Sequence, residues 1–264
     1  MKPNVFHGGW NPFDNEQLEL TRRTGISVDV LHCDTTADVK ILCIIEPPVV
    51  LPHMYTAPKS FYDAFDKIYT YSPELLEMCS NAELLPYGTT WIKYNEMSLD
   101  KQDRITFLTS SKDWAEGHKL RLQIYDYLAD KPNINGFEIF KHKSPPQYMP
   151  REDFFNTAKF HIVAENCRHP NWFTEKVIDC FVSYTIPIYY GCPNIGDFFN
   201  RDGIICFETV DQLNDILNSL TPALYDSMLG AAKNNFNLAK AWIDDNHITT
   251  RLARNIRKFV NGQD

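Results

Sequence analysis

Short apolar segments alternate with amphipathic ones along most of the chain. ISVDVLHC (26–33) and VKILCIIE (39–46) are rich in β-branched residues, and both are predicted to be strands. A short helix is predicted ahead of them at Asn15–Arg23. Residues 60–79 then predict a helix, a short strand and a second helix that opens at Ser72 before a proline. This first part of the chain therefore predicts a small α/β unit.

A polar stretch without periodicity, Asn95–Arg104, is the predicted linker to a second unit of the same kind. After it, strands and helices alternate in the order RITFLTSS, GHKLRLQIYDYLADK, the proline-rich loop HKSPPQYMP, FHIVAEN, the helix that follows TEK, TIPIYYG, GIICFETV and a helical C-terminal part. Alternation of this kind predicts an α/β fold with parallel sheets and helices on both faces. We therefore predict two Rossmann-like domains facing a cleft, residues 1–100 and 101–264. The last helix is expected to be able to pack back on the first domain, and ligands are expected at the carboxyl ends of the strands.

Composition narrows the functional class. The formal charge is −8, from 26 basic and 34 acidic residues, which argues against a general binder of nucleic acid or anionic membranes. The seven cysteines are scattered and form no CxxC, so we expect neither a disulfide framework nor a zinc site, and a reducing compartment fits. The N-terminus lacks the apolar core of a signal peptide, and no apolar run is long enough to span a bilayer. We expect a soluble, cytoplasmic protein.

Several common motifs do not occur. The sequence contains no Walker A, GxGxxG or GxSxG motif. No motif therefore supports a kinase, a dehydrogenase or an α/β-hydrolase. The C-terminal stretch ITTRLARNIRKFV is basic and amphipathic. It fits a solvated helix face or, at most, peripheral contact with a membrane that carries a lipid-linked acceptor.

The sequence TEK, Thr174 to Lys176, stands at the start of an apolar helix. Thr174 suits the N-cap position, and the free backbone N–H groups there, together with Lys176, favour an anion. Glu175 would be badly placed for an anion alone, but a carboxylate suits the two hydroxyls of a ribose. From TEK alone, a capped surface helix with a charged first turn is the favoured interpretation.

The neighbourhood of TEK favours a nucleotide site. Glu165 and Asn166 end the strand FHIVAEN, and the loop after them leads into TEK. Polar groups at a strand end followed by a helix N-terminus are typical of nucleotide sites in such folds. Lys119 and Arg121 open another helix, and periodicity alone allows Arg121 either to face the cleft or to lie on the surface. His118 beside them is interpreted as a surface or core residue rather than a ligand.

The segment FHIVAENCRHPNWFTEKVIDCFVSYTIPIYYGCPNIGDFFN resembles the donor-binding motif of the α1,3/4-fucosyltransferases, glycosyltransferase family 10. The motif's E-N pair, the spacing of eight residues from Asn166 to Thr174 and the later IPI-Y-aromatic-G are all present. RLQIY from Arg121 is a second, looser match, to the arginine of the family's donor domain. The resemblance implies a compact soluble member with a short N-terminal domain and a GT-B-type fold.

The resemblance also implies roles for residues. Arg121 and Lys176 would hold the diphosphate of a GDP-sugar, and Glu175 would hold the ribose hydroxyls. The other implied donor-binding residues are Asn166, Trp172 and Thr174, and further residues possible on the donor side are His118, Lys119 and Glu165. No DxD sequence is present to hold a metal, so we predict transfer without a metal ion or other cofactor.

The family's general base is a glutamate after a strand in the N-terminal domain. Its counterpart here is Glu46 in KILCIIEPPVV, although Pro47-Pro48 departs from the usual context. A strand-terminal glutamate followed by prolines is also compatible with a structural role.

The expected activity is inverting transfer of fucose, or a related sugar, from a GDP-sugar to a hydroxyl of a glycan or glycolipid acceptor. Two alternatives remain open. The chain is a glycosyltransferase for another nucleotide-sugar, or it is a non-catalytic protein that binds nucleotide-sugars or glycans. The sequence identifies neither the acceptor nor the oligomeric state.

Overall fold

The computed structural model describes residues 1–8, 11–13, 18–94, 97–143, 151–244 and 248–262. The chain divides into two compact units. Unit 1 consists of Met1–Gly88, His169–Trp172 and Ile243–Asp264, and unit 2 consists of Thr89–Arg168 and Phe173–Trp242. The chain therefore contributes a four-residue loop and its C-terminal segment to unit 1, although their sequence neighbours belong to unit 2.

Unit 1 contains a five-stranded parallel sheet in the order β1-β2-β3-β4-β5. The strands are β1 Asn4–His7, β2 Thr24–Val28, β3 Val39–Ile44, β4 Lys67–Thr70 and β5 Ala82–Leu84. The short helices α1 Lys59–Tyr62 and α2 Pro73–Met78 flank β4 in sequence. As predicted, α2 begins at Ser72, whose hydroxyl accepts a hydrogen bond from the Leu75 amide.

Both faces of this sheet are covered, which explains why β3 is apolar from Ile41 to Ile44. Ile41 and Cys43 pack on one face against the C-terminal helix α8, Ile248–Asn261. Leu42 and Ile44 pack on the other face with residues of α1 and α2. Side chains alternate between the two faces of a strand, so a strand buried on both sides is a continuous apolar run.

Unit 2 contains a six-stranded sheet in the order β11-β10-β9-β6-β8-β7, parallel except for β7. The strands are β6 Gln102–Thr109, β7 Asn133–Ile134, β8 Phe137–Lys143, β9 Ala158–Ala164, β10 Ile186–Tyr190 and β11 Ile205–Cys206. The helices are α3 Glu116–Tyr127, α4 Glu152–Phe155, α5 Glu175–Phe181, α6 Val210–Ser219 and α7 Pro222–Asp244.

The strand order of unit 2 changes direction at β6. The chain adds β8 on one side of β6, then crosses to add β9, β10 and β11 on the other side. In open α/β sheets, a crevice forms at such a switch point, outside the carboxyl ends of the two strands concerned. The carboxyl ends of β6 and β9 are therefore the favoured ligand position in unit 2.

The predicted α/β class with parallel sheets is confirmed, with differences in detail. In the predicted helix Asn15–Arg23, residues 15–17 lie outside the described residues. Residues 18–23 are not helical, because Leu18 and Leu20 pack as single buried side chains before β2 begins.

Other differences fall on the loops and the shorter elements. In the predicted linker Asn95–Arg104, residues 95–96 lie outside the description, and Gln102–Arg104 already belong to β6. Residues 144–150 of the predicted proline-rich loop are likewise outside it. The sequence reading missed β1 and β8. Most of their side chains are exposed or only partly buried, so these strands lack a strong apolar pattern.

The seven cysteines all lie in described segments of the chain, and they form no disulfide bond. Within the parts of the chain that the structure describes, none of the helices is both long enough and apolar enough to cross a membrane.

Arg251 on α8 joins the C-terminal segment to the rest of unit 1. Its side chain is buried, and Nη2 donates to the backbone oxygens of Pro86 at 2.9 Å, Tyr87, and Gly88 at 3.2 Å. Burial lowers the pKa of this guanidinium to about 9, so the group stays charged at neutral pH. One side chain thus satisfies three consecutive carbonyl groups.

Replacing Arg251 with Leu should destabilise unit 1, because buried carbonyl groups lose their donor. We expect a loss of about 2–4 kcal/mol in the free energy of unfolding, measured by urea denaturation. Arg254→Leu is the matched control, since Arg254 is an exposed cation of the same helix, and it should cost less than about 0.5 kcal/mol. Equal losses in the two variants would show that the contacts of Arg251 are unimportant.

Candidate functional site

The first turn of helix α3 is in direct contact with the residues that follow β9. The amide of Gly117, in the first turn of α3, donates to the Asn166 carbonyl oxygen at 3.0 Å. A β-carbon at Gly117 would lie 1.7 Å from the Glu165 carbonyl oxygen. Only glycine allows the helix to come this close to the strand end.

Arg121, one helical turn further on, is fixed at the same strand end. Its guanidinium donates to the Ala164 carbonyl oxygen and, at 3.0 Å, to Oδ1 of Asn166. The residue is only 5% exposed. Burial lowers the pKa of Arg121, whereas the charges of Glu165 and Glu175 oppose that shift. A buried cation therefore lies at the carboxyl end of β9, on the side of the switch point.

Glu165 connects β9 to the start of α5. Its carboxylate is fully buried and accepts two hydrogen bonds from Thr174, from the amide at 2.9 Å and from the hydroxyl at 2.8 Å. A β-carbon at Gly191 would lie 2.6 Å from Cγ of Glu165, so the end of β10 also fits closely around this side chain. Glu165 thus holds TEK in position.

Thr174 is the N-cap of α5, as predicted. Its hydroxyl accepts hydrogen bonds from the amide of Lys176 at 3.3 Å and from Nζ of Lys176 at 2.9 Å. Nζ also lies 3.2 Å from Oε1 of Glu175 and 3.4 Å from Oε2 of Glu165. TEK and the end of β9 therefore form one hydrogen-bonded group of charges.

The charges of this group stabilise each other. Burial alone would lower the pKa of Lys176, but Glu175 and Glu165 raise it above its usual value. Burial alone would raise the pKa of Glu175, but Lys176 and Arg151 hold it below its usual range. Lys176 and Glu175 are therefore both charged at neutral pH, and the Lys176 side chain remains 27% exposed. A partly exposed ammonium beside a buried guanidinium can receive an anion.

The two other residues predicted near Arg121 have different environments. His118 is buried, and its Nδ1 accepts a hydrogen bond from the Ala115 amide at 3.2 Å. Burial, followed by the charges of Arg121, Lys112 and Lys176, lowers the pKa of His118 to about 4, so its ring is neutral at neutral pH. Lys119 lies on the exposed face of α3.

Trp172 belongs to the loop that the chain contributes to unit 1. Its ring is buried, and the indole N–H donates to the Ile45 carbonyl oxygen at 3.2 Å. Nearby, the Asn171 side chain donates to the Tyr71 carbonyl oxygen at 3.1 Å. The surroundings of Trp172 are therefore residues of unit 1, close in sequence to Glu46.

Glu46 follows β3, and its side chain is exposed while its main chain is held. The amide donates to both carboxylate oxygens of Asp29 at 3.3 Å. The carbonyl oxygen accepts a hydrogen bond from the hydroxyl of Tyr55 at 2.6 Å. A carboxylate on a fixed backbone at a strand end has the setting that a general base requires.

Sequence reasoning missed Asp29, which directly follows β2. It has φ of 51°, a left-handed conformation that costs energy for a residue other than glycine. Its carboxylate also accepts a hydrogen bond from the Ile45 amide at 2.8 Å. Burial raises the pKa of Asp29 to about 7. The hydrogen bonds from the Ile45 and Glu46 amides oppose this rise, and the charge of Glu46 adds to it. The available signal was an acidic residue inside the apolar run 26–33, in the predicted strand before the one that ends on Glu46.

A second missed group lies under α5. Asp179 is fully buried and accepts hydrogen bonds from the hydroxyl of Thr90 at 2.6 Å and the amide of Trp91 at 3.0 Å. Arg151 completes the group with an ion pair of 3.3 Å to Asp179, and its guanidinium lies 4.6 Å from the centre of the Trp91 ring. Burial raises the pKa of Asp179 to about 7. Helix α5 is thus fixed by polar contacts at both Thr174 and Asp179.

Comparison with known families identifies this region. Residues 99–229 match the family model described as "Glycosyltransferase family 10 (fucosyltransferase) C-term". These residues belong to glycosyltransferase family 10. The predicted family is confirmed, and Arg121, Asn166 and TEK all lie within the matched family-10 domain.

A curated relative supports this assignment. The alpha-(1,3)-fucosyltransferase FucT of Helicobacter pylori is 28% identical over 104 residues, which are 38% of this chain and 22% of that enzyme. The match therefore spans less than a quarter of the length of the relative.

Solved structures support the fold over almost the whole chain. An alpha1,3-fucosyltransferase with GDP-fucose has a TM-score of 0.52 at 15% identity, covering 87% of this chain and 82% of that one. The same kind of enzyme with GDP has a TM-score of 0.53 at 17% identity, covering 92% and 90%. T4 phage BGT in complex with UDP and Mn2+ has a TM-score of 0.51 at 10% identity, covering 99% and 100%. The GT-B-type α/β fold predicted from the sequence is confirmed.

Among the residues that the structure describes, no group of three or more His, Cys, Asp or Glu side chains is arranged to hold a metal ion. The predicted roles of the individual site residues stay predictions.

The raised pKa of Asp29 predicts a pH-dependent contribution to stability. The folded carboxyl binds a proton as the pH falls through about 7, whereas an unfolded one does so only near 3.8. Acidification through this window therefore stabilises the wild type relative to Asp29→Asn. The free energy of unfolding of the wild type minus that of the variant should grow by on the order of 1–3 kcal/mol from about pH 7.5 to about pH 4.5.

Denaturant titrations at several pH values measure this difference. Asp38→Asn is the control for the loss of an exposed carboxylate of the same unit, and the Asp29→Asn difference is compared with it at each pH. A difference for Asp29→Asn that does not change with pH would contradict the raised pKa of Asp29.

Proposed function

We propose that the chain is an inverting glycosyltransferase that moves fucose, or a related sugar, from a GDP-sugar to a hydroxyl of a glycan or glycolipid acceptor. The observation that carries the proposal is the pair of cations at the switch point of the family-10 domain. Arg121 is held at the end of β9, and Lys176 lies in the first turn of α5, connected to the same strand end through Glu165. Diphosphate groups bind where such strand ends meet a helix start.

The reaction explains why the cations are needed. An acceptor oxygen attacks the anomeric carbon, the bond from that carbon to the diphosphate oxygen breaks, and the nucleoside diphosphate leaves with an added negative charge. Cations fixed in advance around the leaving group stabilise that charge in the transition state. Arg121 supplies a rigid, planar guanidinium, and Lys176 supplies a partly exposed ammonium. The proposal therefore includes no metal ion or other cofactor.

The carboxylates of the site have separate tasks in this proposal. Glu165 positions Thr174 and with it the start of α5. Glu175 now contacts Nζ of Lys176. A bound diphosphate would attract that ammonium, and Glu175 could then accept hydrogen bonds from the ribose hydroxyls. Asn166, which holds Arg121 through Oδ1, would contact the region between the sugar and the phosphates.

Glu46 is the proposed general base. It takes the proton of the acceptor hydroxyl as that oxygen attacks, and the proton ends on its carboxylate. Support comes from its exposed side chain and from the main chain held by Asp29 and Tyr55. Asp29 would act as a positioning residue through those backbone hydrogen bonds.

Calorimetry with nucleotides tests the donor site. GDP should bind the wild-type protein, and Lys176→Met should weaken GDP binding by about tenfold or more, because one charge-assisted contact to the diphosphate is lost. Lys233→Met is the matched control, since Lys233 is an exposed lysine of the same unit, and it should bind GDP like the wild type. Tight binding of UDP without binding of GDP would overturn the proposed donor.

Glu46→Gln tests the base, because the amide keeps the size of the side chain but cannot take the proton. With GDP-fucose and acceptors selected on a glycan array, turnover should fall by about 10²-fold or more while the affinity for GDP stays unchanged. Equal turnover in the variant and the wild type would remove Glu46 from this role. If GDP binds and no acceptor on the array is used by the wild type, the non-catalytic binder is favoured instead.

A further inference from the structure

Trp114 is an exposed aromatic residue in an otherwise polar loop. The loop, residues 110–115, runs from the carboxyl end of β6 to the start of α3. Trp114 is 50% exposed. Trp114 therefore belongs to the loop that follows β6, the strand on the other side of the switch point from β9.

The indole is held by a rigid neighbour. The ring of His118 lies edge-on to it, with 4.5 Å between ring centres and an interplanar angle of 72°. His118 is itself buried and fixed by the hydrogen bond from the Ala115 amide. Trp114 is therefore oriented on one side by a packed ring of α3, while half of its surface remains accessible.

The same histidine connects the indole to the proposed phosphate site. The charges of Arg121 and Lys176 are among those that lower the pKa of His118. Arg121 is also on α3, three residues after His118. An exposed indole, a neutral imidazole and two cations thus form a series along the carboxyl ends of β6 and β9.

A nucleoside diphosphate has a matching series of parts: a flat base, a ribose and two phosphates. Bases stack on aromatic side chains whatever their sequence, because every base has a π-face. Such stacking changes affinity by about 5- to 150-fold.

We propose that Trp114 is the surface on which the base of the nucleoside-diphosphate donor stacks. This inference rests on the proposed function of the donor site, and it adds the residue that binds the base. Trp114 contacts the base alone, while Arg121 and Lys176 contact the phosphates.

The chain offers a comparison residue in Leu238. It is an apolar side chain of α7 in the same unit and is 39% exposed. Its removal controls for general effects of losing an exposed apolar side chain.

The experiment compares GDP with inorganic pyrophosphate, which lacks a base, by calorimetry on the full chain. Trp114→Ala should weaken GDP by about tenfold or more and leave pyrophosphate within about twofold. Trp114→Phe should retain most of the GDP affinity, because a phenyl ring still stacks. Leu238→Ala should match the wild type for both ligands.

Indole fluorescence gives an independent readout. Saturating GDP should quench part of the wild-type emission, and that part should be missing in Trp114→Phe but present in Trp91→Phe. This readout does not depend on how weakly pyrophosphate binds.

Two outcomes would overturn the inference while leaving the donor site intact. In one, Trp114→Ala binds GDP like the wild type and the quenching survives in Trp114→Phe. In the other, Trp114→Ala loses GDP and pyrophosphate equally, which would mean that the indole only supports the phosphate site. If the wild type binds neither GDP nor UDP, the proposed function fails and this inference fails with it.

Discussion

The double hydrogen bond from Thr174 to the buried carboxylate of Glu165 is the contact on which the rest of the site depends. A fully buried charge must be paired, and removing its partners would leave it at a cost of several kcal/mol. The contact therefore fixes where α5 begins relative to the end of β9. Arg121 is bound to that same strand end, and Lys176 is bound to the same carboxylate. The positions of both cations are therefore determined by the end of β9.

In unit 1, the carboxylate of Asp29 has a similar role at the carboxyl ends of β2 and β3. Asp29 adopts a left-handed backbone conformation and directs its carboxylate at the amides of Ile45 and Glu46. The strain and the partial burial of an acid are both unfavourable for stability alone. Unfavourable features of this kind concentrate at functional sites. Here the hydrogen bonds of Asp29 fix the backbone from which Glu46 projects. In each unit, an acidic side chain thus orders the segment that carries a proposed functional residue.

The sequence predicted the strands and helices around TEK well, because FHIVAEN and TIPIYYG are buried runs whose character depends on local pattern. It also predicted the cap at Thr174, which is a local preference. It could not predict where individual side chains point. Arg121 was equally compatible with the surface until the Asn166 and Ala164 contacts showed it buried, since side-chain direction is determined by neighbours distant in sequence. Asp29 was missed for the same reason.

The absence of space for a β-carbon at Gly117 has a consequence for adaptability. Helix α3 cannot slide along β9 without moving the strand end itself, so the cation on this helix is insulated from changes in the ligand. In the proposed donor site, accommodation of different ligands would then fall to the loop ahead of the helix, residues 110–115. The loop could then change in sequence and alter the selectivity of the site, while helix α3 keeps its cation in place. Exchange of this loop would be a way to redesign recognition.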